Sequence, residues 1–353
     1  MTDPARVPEA PGAAPSRLDR AVRAEMRESP GTLTFRDLIR KNKRDSALLL
    51  VAMLALAGVV GGTIAASILL GTGAEPRDLL PSVILGALAA IVVGGLASVW
   101  SWYGGASAIL SMCGAVPITP DDDPQLYNVV DEMRIAAGLP MPRVYLINDS
   151  ALNAFATGRD PGHAAVAVTK GLRDRLSRDQ LQAVVAHEMA HVRHLDIRFA
   201  MLMATMAGLI VFACDAFLRV TWRSGGAFRA SGRSKRGEAG AAFVVILVIA
   251  LVLAVVAPLV ARLIQMAYSR QREYLADAGA VELTRNPEAL ASALATLAND
   301  DDPLVDAANR GIAHMFVVNP LRKMRATHQH WDSPFSSHPP IHKRIARILA
   351  LTR

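Results

Sequence analysis

Four apolar stretches limit what this chain can become. Residues 46–73 and 79 to about 115 carry no charged side chain, and 199–218 and 241–264 are nearly as apolar. Each reaches the roughly 20 residues that a helix needs to cross the hydrocarbon core of a bilayer. Composition agrees, since 52% of the 353 residues are hydrophobic and the mean hydropathy is +0.28. That is too apolar for an ordinary soluble domain with 20% charged residues. Arg36, Arg40, Lys41, Lys43 and Arg44 precede the first stretch and place the N-terminus in the cytoplasm. Glu75, Arg77 and Asp78 lie in the link to the second stretch, whose Trp100, Trp102 and Tyr103 suit a membrane interface. This hairpin returns the chain to the cytoplasm. The formal charge of +7 clusters beside the apolar stretches, which favours anionic lipid headgroups over nucleic acid as the partner. Cys113 and Cys214 make no disulfide framework.

Asp215 within the third stretch is costly in lipid unless paired or near water. The linker 219–240 holds Arg219, Arg223, Arg229, Arg233, Lys235 and Arg236 against Glu238. If the third and fourth stretches both span, this linker lies outside, against the positive-inside tendency. The other reading is a shallow hairpin that returns to the cytoplasm, and both stand at the level of sequence.

Between the second and third stretches lies the motif His187-Glu188-Met189-Ala190-His191. Ser177 and Gln180 read as a capping box, and Leu181, Val184, Val185, Val192 and Leu195 recur with helical spacing. His187 and His191, four residues apart, share one helix face and can share a tetrahedral zinc. Glu188 is placed to act on a water in the open position as general base. The extended pattern that supplies a third histidine fails, because His194 stands where glycine is needed and Ile197 where histidine is needed. Glu273 is the better third ligand, since two histidines and one glutamate form a catalytic zinc set. Asp277, one turn on, can hold a ligand histidine by its second ring nitrogen. The alternative for Glu273 and Asp277 is a charged face pairing with Arg270 and Arg272.

Asp123 and Pro124 start a helix that runs to about Ala137 and stops at Gly138. Arg143–Ile147 and 164–169 read as strands. Between them Asn153-Ala154-Phe155-Ala156-Thr157-Gly158 reads either as an edge strand, able to bind a peptide by strand addition through Asn153 to Ala156, or as a buried turn in a small sheet. The fourth stretch carries Pro258, a kink, and continues as the helix that presents Glu273. Both ligand-bearing helices thus adjoin membrane segments, which predicts a metal near the membrane surface. Asn286 and Pro287 start a further helix to about Ala298, and a final helix carries Lys343, Arg344 and Arg347.

The expected organisation is an α-rich membrane protein, with transmembrane helices and a zincin-type α+β metalloprotease domain holding a small β-sheet. Residues 1–45 form a disordered, basic tail with a short helix near Ser16 to Met26, and carry no signal peptide. Residues 46–115 form the transmembrane hairpin, and 116–198 the first part of the protease domain. Residues 199–264 hold the second apolar pair, and 265–353 complete the protease domain.

In these motifs the chain resembles the HtpX-type membrane zinc metalloproteases, relatives of the CAAX prenyl proteases. The resemblance runs over roughly residues 45–353. It rests on Ala137 to Pro142, Asn153 to Gly158, the H-E-x-x-H, Glu273 to Asp277, Asn319-Pro320, and Ser337 to Arg344. It implies one zinc per chain on His187, His191 and Glu273, with Glu188 as base. It also implies that His338 and Arg344 lie near the cleft, where they could stabilise an oxyanion. The function implied is a bacterial inner-membrane protease, with its active site facing the cytoplasm, that clears misfolded membrane proteins under stress. Other readings are a selective processing protease of the prenyl-protein type and a latent, zinc-stabilised scaffold in which His338 or His314 fills the open position.

Overall fold

The computed structural model describes residues 20, 22, 35–72, 76–223, 238–298 and 339–351. They divide into two compact units, each built from separate stretches of chain.

One unit comprises residues 44–103 and 202–268. Its helices are α1 (Phe35–Gly71), α2 (Leu79–Met112), α6 (Asp196–Arg223) and α7 (Glu238–Thr284), all four of which run on into the other unit. Windows of 25, 34, 28 and 23 residues in these four helices are long and apolar enough to cross a membrane. Leu85, Leu88, Val92, Leu96 and Val99 of α2 lie exposed, as a lipid-facing surface requires. Between α1 and α2 the backbones meet closely. A Cβ built on Gly61 would stand 2.4 Å from the Ala90 Cβ and 2.6 Å from the Gly86 carbonyl oxygen. Small residues permit such an approach, and with it the dispersion contacts that hold helices together in lipid. Thr205 Oγ1 donates to Ser101 Oγ at 2.7 Å, adding a polar link between α6 and α2. Asp215, the costly acid, pairs with Arg219 at 2.7 Å and is 53% exposed, so it is neither alone nor buried.

The second unit holds the rest. Its sheet has the order β1-β2-β4-β3, with β1 (Ala115–Pro117) antiparallel to β2 (Arg143–Ile147), β2 parallel to β4 (Ala165–Thr169), and β3 (Ala154–Thr157) antiparallel to β4. Strand β1 was not expected. The second apolar helix ends at Met112, Gly114 turns the chain at φ 61°, and Ala115 starts a strand, where the sequence reading extends the apolar run to it. Every residue of β4 is buried, because each face meets a different core. Val166 and Val168 join Leu126, Val129, Leu181 and Val185, whereas Ala165 and Ala167 join Ile109, Phe155 and Met201.

Helix α3 (Pro124–Ala137) starts as expected, since Asp123 accepts from the Leu126 N–H at 3.0 Å, and it stops at Gly138 with φ 67°. A short α4 (Lys170–Arg175) leads to α5 (Arg178–Arg193), which packs on α3, β3 and α8 (Pro287–Ala298). The last helix, α9 (Ile341–Ala350), packs on α8. Val22, in the stretch expected to be a tail with a short helix, is 1% exposed within the core of this unit.

Candidate metal centre

Helix α5 begins with the expected capping box, the Ser177 side chain accepting from the Gln180 N–H and Gln180 Oε1 accepting from the Ser177 N–H. Its later turns are buried all round, and His187, Glu188 and His191 project from them. Helix α7 passes through Pro258 as one element and brings Glu273 and Asp277 opposite. Gly279 permits this approach, because a Cβ there would lie 2.8 Å from the Ala190 Cβ.

One ligand atom each from His187, His191 and Glu273 fall within 4.8 Å of one another. The two Nε2 atoms are 3.2 Å apart, and the Glu273 carboxylate oxygens lie 3.7 Å from His187 Nε2 and 3.6 Å from His191 Nε2. Zinc–nitrogen bonds of about 2.0–2.1 Å at a tetrahedral angle put two nitrogens about 3.3 Å apart. The two nitrogens therefore fit zinc, and a single Glu273 oxygen would draw in from as far as 4.8 Å to complete the set. The second ring nitrogens complete the fit. His187 Nδ1 is 3.0 Å from Asp277 Oδ1, and His191 Nδ1 is 3.1 Å from Asp196 Oδ2. Asp196 accepts from the His191 Nδ1–H and leaves that ring's Nε2 lone pair to the metal side, while Asp277 faces His187 Nδ1 and Arg344 Nη2 lies 3.4 Å from His187 Nε2.

Charge makes the same point. Burial disfavours a charged His191, but the Asp196 and Glu273 carboxylates outweigh it, and in the metal-free site its pKa is pushed up to about 10. His187 is raised likewise, Asp277 and Glu273 outweighing burial. A cavity that holds protons this firmly attracts a cation. Burial pushes the Glu188 carboxyl up, in spite of the two histidines beside it. Glu188 Oε2 accepts a 2.7 Å hydrogen bond from the Ala156 N–H.

That contact settles the Asn153 segment as the edge strand β3. The Thr169 N–H donates to the Asn153 carbonyl at 2.9 Å, so residues 153, 155 and 157 pair with β4. Ala154 and Ala156 then direct their N–H groups to the open edge. Glu188 takes the Ala156 N–H, and Asn153 Oδ1 takes that of Ala154 at 2.9 Å. All four β3 residues are buried.

Arg344 joins the site, 1% exposed. Its Nε and Nη2 grip Asp277 at 2.9 and 2.7 Å, and its Nη1 lies 3.2 Å from Glu273 Oε2. The oxyanion role expected of it would fall to Nη1, which makes no hydrogen bond among the described residues. The ion-pair alternative for Glu273 and Asp277 is realised with Arg344, while Arg272 turns instead to Asp196 at 2.8 Å. His194 caps the end of α5 with its backbone N–H and is not among the converging ligand atoms. His314 and His338 lie outside the described residues, as does Asn319-Pro320. Sequence reasoning missed Asp196 and Gly279, and gave Arg272 a different partner. Asp196 stands beyond the helix end, where helical spacing gives no signal, and Gly279 is unremarkable in a helix rich in small residues.

Three such donors would leave one position of a tetrahedral ion open, and Glu188 follows the first of them in sequence, an arrangement suited to hydrolysis. The class is a metallopeptidase integral to a membrane. Residues 120–352 match peptidase family M48, and the chain belongs to that family. It is 36% identical over 310 residues to a "Protease HtpX homolog" of Ligilactobacillus salivarius, covering 88% of this chain and 97% of that protein. A protein of the same description from Caldanaerobacter subterraneus is 42% identical over 243 residues, 69% of this chain and 77% of its own. The crystal structure of S. mikatae Ste24p aligns at 20% identity and a TM-score of 0.45, over 88% of this chain and 66% of that one, too loosely to transfer any residue's role.

Proposed function

We propose that this chain is a zinc endopeptidase of the bacterial inner membrane, cutting misfolded or damaged membrane proteins on the cytoplasmic side. The observation that carries the reading is the convergence of His187, His191 and Glu273 within 4.8 Å, with Glu188 one residue from the first ligand. These three residues would hold one zinc per chain. When bound, zinc supplies a Lewis acid that acidifies water and polarises the scissile carbonyl.

The chain's own groups do the rest. Glu188, whose carboxyl burial pushes up, takes the proton of the attacking water and hands it to the leaving amine. Asp277 and Arg344 keep His187 in the tautomer that ligates, so Arg344 acts as a positioning residue. An extended substrate pairs with Ala154 and Ala156 of β3. For that pairing, Asn153 and Glu188 must release the two N–H groups they occupy. Glu188 thus turns to the water as substrate arrives. Pairing through backbone favours extended, unfolded chain over any one sequence, which suits a protease for damaged proteins. The names of the relatives support the class, and the basic run in the first turns of α1 supports the cytoplasmic orientation.

The test is Glu188→Gln against wild type, purified in detergent, for zinc content and cleavage of an unfolded membrane protein. About one zinc per chain in both, with cleavage lost in the variant alone, is expected. Equal zinc with no cleavage by either protein would leave a structural metal and sink the protease reading.

A further inference from the structure

The two histidines of α5 are not supported alike by neighbouring sequence, yet the structure treats them alike. His187 leans on Asp277, which is gripped by a buried arginine, Arg344. His191 leans on Asp196, and Arg272, 3% exposed, lies 2.8 Å from its other oxygen. We propose that Asp196 and Arg272 form a second clamp, which positions His191 for the metal as Asp277 and Arg344 position His187. The proposal rests on the zinc reading of the site.

Three observations carry it. Asp196 is 4% exposed and contributes one oxygen to each partner, so both of its oxygens are engaged. Between His191 and Asp196 the chain bends at Leu195, whose φ of 63° is a conformation that L side chains rarely adopt. A straight continuation of α5 would carry residue 196 along the helix, away from the His191 ring it now meets. Strain kept at such a point marks a geometry the surroundings enforce. Arg272, finally, precedes Glu273 in sequence and stacks over the Phe199 ring at 5.4 Å. The clamp therefore ties the helix of the third ligand to the start of α6, and through Asp196 to the second. One displacement at Asp196 would loosen two ligands.

The experiment uses the full chain in detergent, with zinc affinity read by chelator competition and ligand geometry by the visible spectrum of the cobalt-substituted protein. Asp196→Ala is expected to weaken zinc about 10–100-fold and to alter the cobalt bands. Asp196→Asn keeps an acceptor for the His191 ring and is expected to recover most of the affinity. Asp196→Ala strands the Arg272 charge, so loss of fold is separated by the double variant Asp196→Ala/Arg272→Met, in which no charge is left unpaired. If the pair is only a structural ion pair, the double variant regains wild-type zinc affinity, and the proposal is overturned. If the pair positions His191, the double variant folds but stays as weak as Asp196→Ala. Wild-type zinc affinity in both alanine variants also overturns the clamp while leaving the zinc site in place. A wild type that holds no zinc sinks the protease reading itself.

Discussion

Arg344 shows what one buried side chain carries. A guanidinium 1% exposed is tolerated because Asp277 and Glu273 surround it, and together they hold it well above its ordinary pKa against the cost of burial. Removing it leaves Asp277 charged and enclosed. Arg344→Ala is expected to destabilise the protease unit by about 3–5 kcal/mol. Arg344→Lys should fold better yet bind zinc less tightly, because an ammonium cannot match the two-pronged geometry. Thermal unfolding beside chelator titration checks both. Much of this site was readable from residues, since a helix fixes where positions 187, 188 and 191 point, and likewise 273 and 277. Asp196 was not, because its placement depends on the left-handed turn at Leu195, a conformation no leucine advertises.

Among elements, α3 and α7 make the contrast between local and long-range signals. Asp123 caps α3 and also receives Arg173 at 2.6 Å, so burial raises its carboxyl but Arg173 and the Leu126 N–H outweigh that and hold it below 3.8. Because the folded value is the lower one, this stabilisation is fully present above pH 3.8 and drains away as pH falls through the folded value. Asp123→Ala should cost about 1–2 kcal/mol near neutrality and flatten that acid limb, as a pH series of thermal melts would show. Such caps, with the turn at Gly138, Val144 of β2 and the alternating valines of β4, made most of the protease unit's elements legible. The sheet order was not, because a three-residue β1 is too short for a periodic pattern. Nor does sequence announce that α7 comes within van der Waals reach of α5 at Gly279. Gly279→Val should push those helices apart, and the expected result is zinc loss at least ten-fold with circular dichroism little changed. Retention of zinc would show that the close approach is incidental.

For the whole molecule, the four apolar helices were plain from length and hydropathy alone, whereas the side on which each end lies depends on charge placement. A single crossing by α2 puts Arg77 and Asp122 on opposite sides. With Cys113 and Cys214 replaced by serine, Arg77→Cys should react with a membrane-impermeant maleimide in intact cells, and Asp122→Cys only after lysis. The reverse pattern would turn the protease unit outward. Metal removal acts on this scale too. Prolonged chelation is expected to abolish cleavage, and stoichiometric zinc to restore it, measured on the same detergent-purified sample.

The ligands are divided along the chain, His187 and His191 before α6 and Glu273 after the long apolar run of α7. A ribosome making this protein must therefore thread both apolar helices before the third donor exists, and Arg344 emerges later still. Until then the nascent chain holds a base and two imidazoles but no complete set of donors. On the zinc reading, a chain interrupted before α7 would lack the third donor, and cleavage would begin only once that helix has been made.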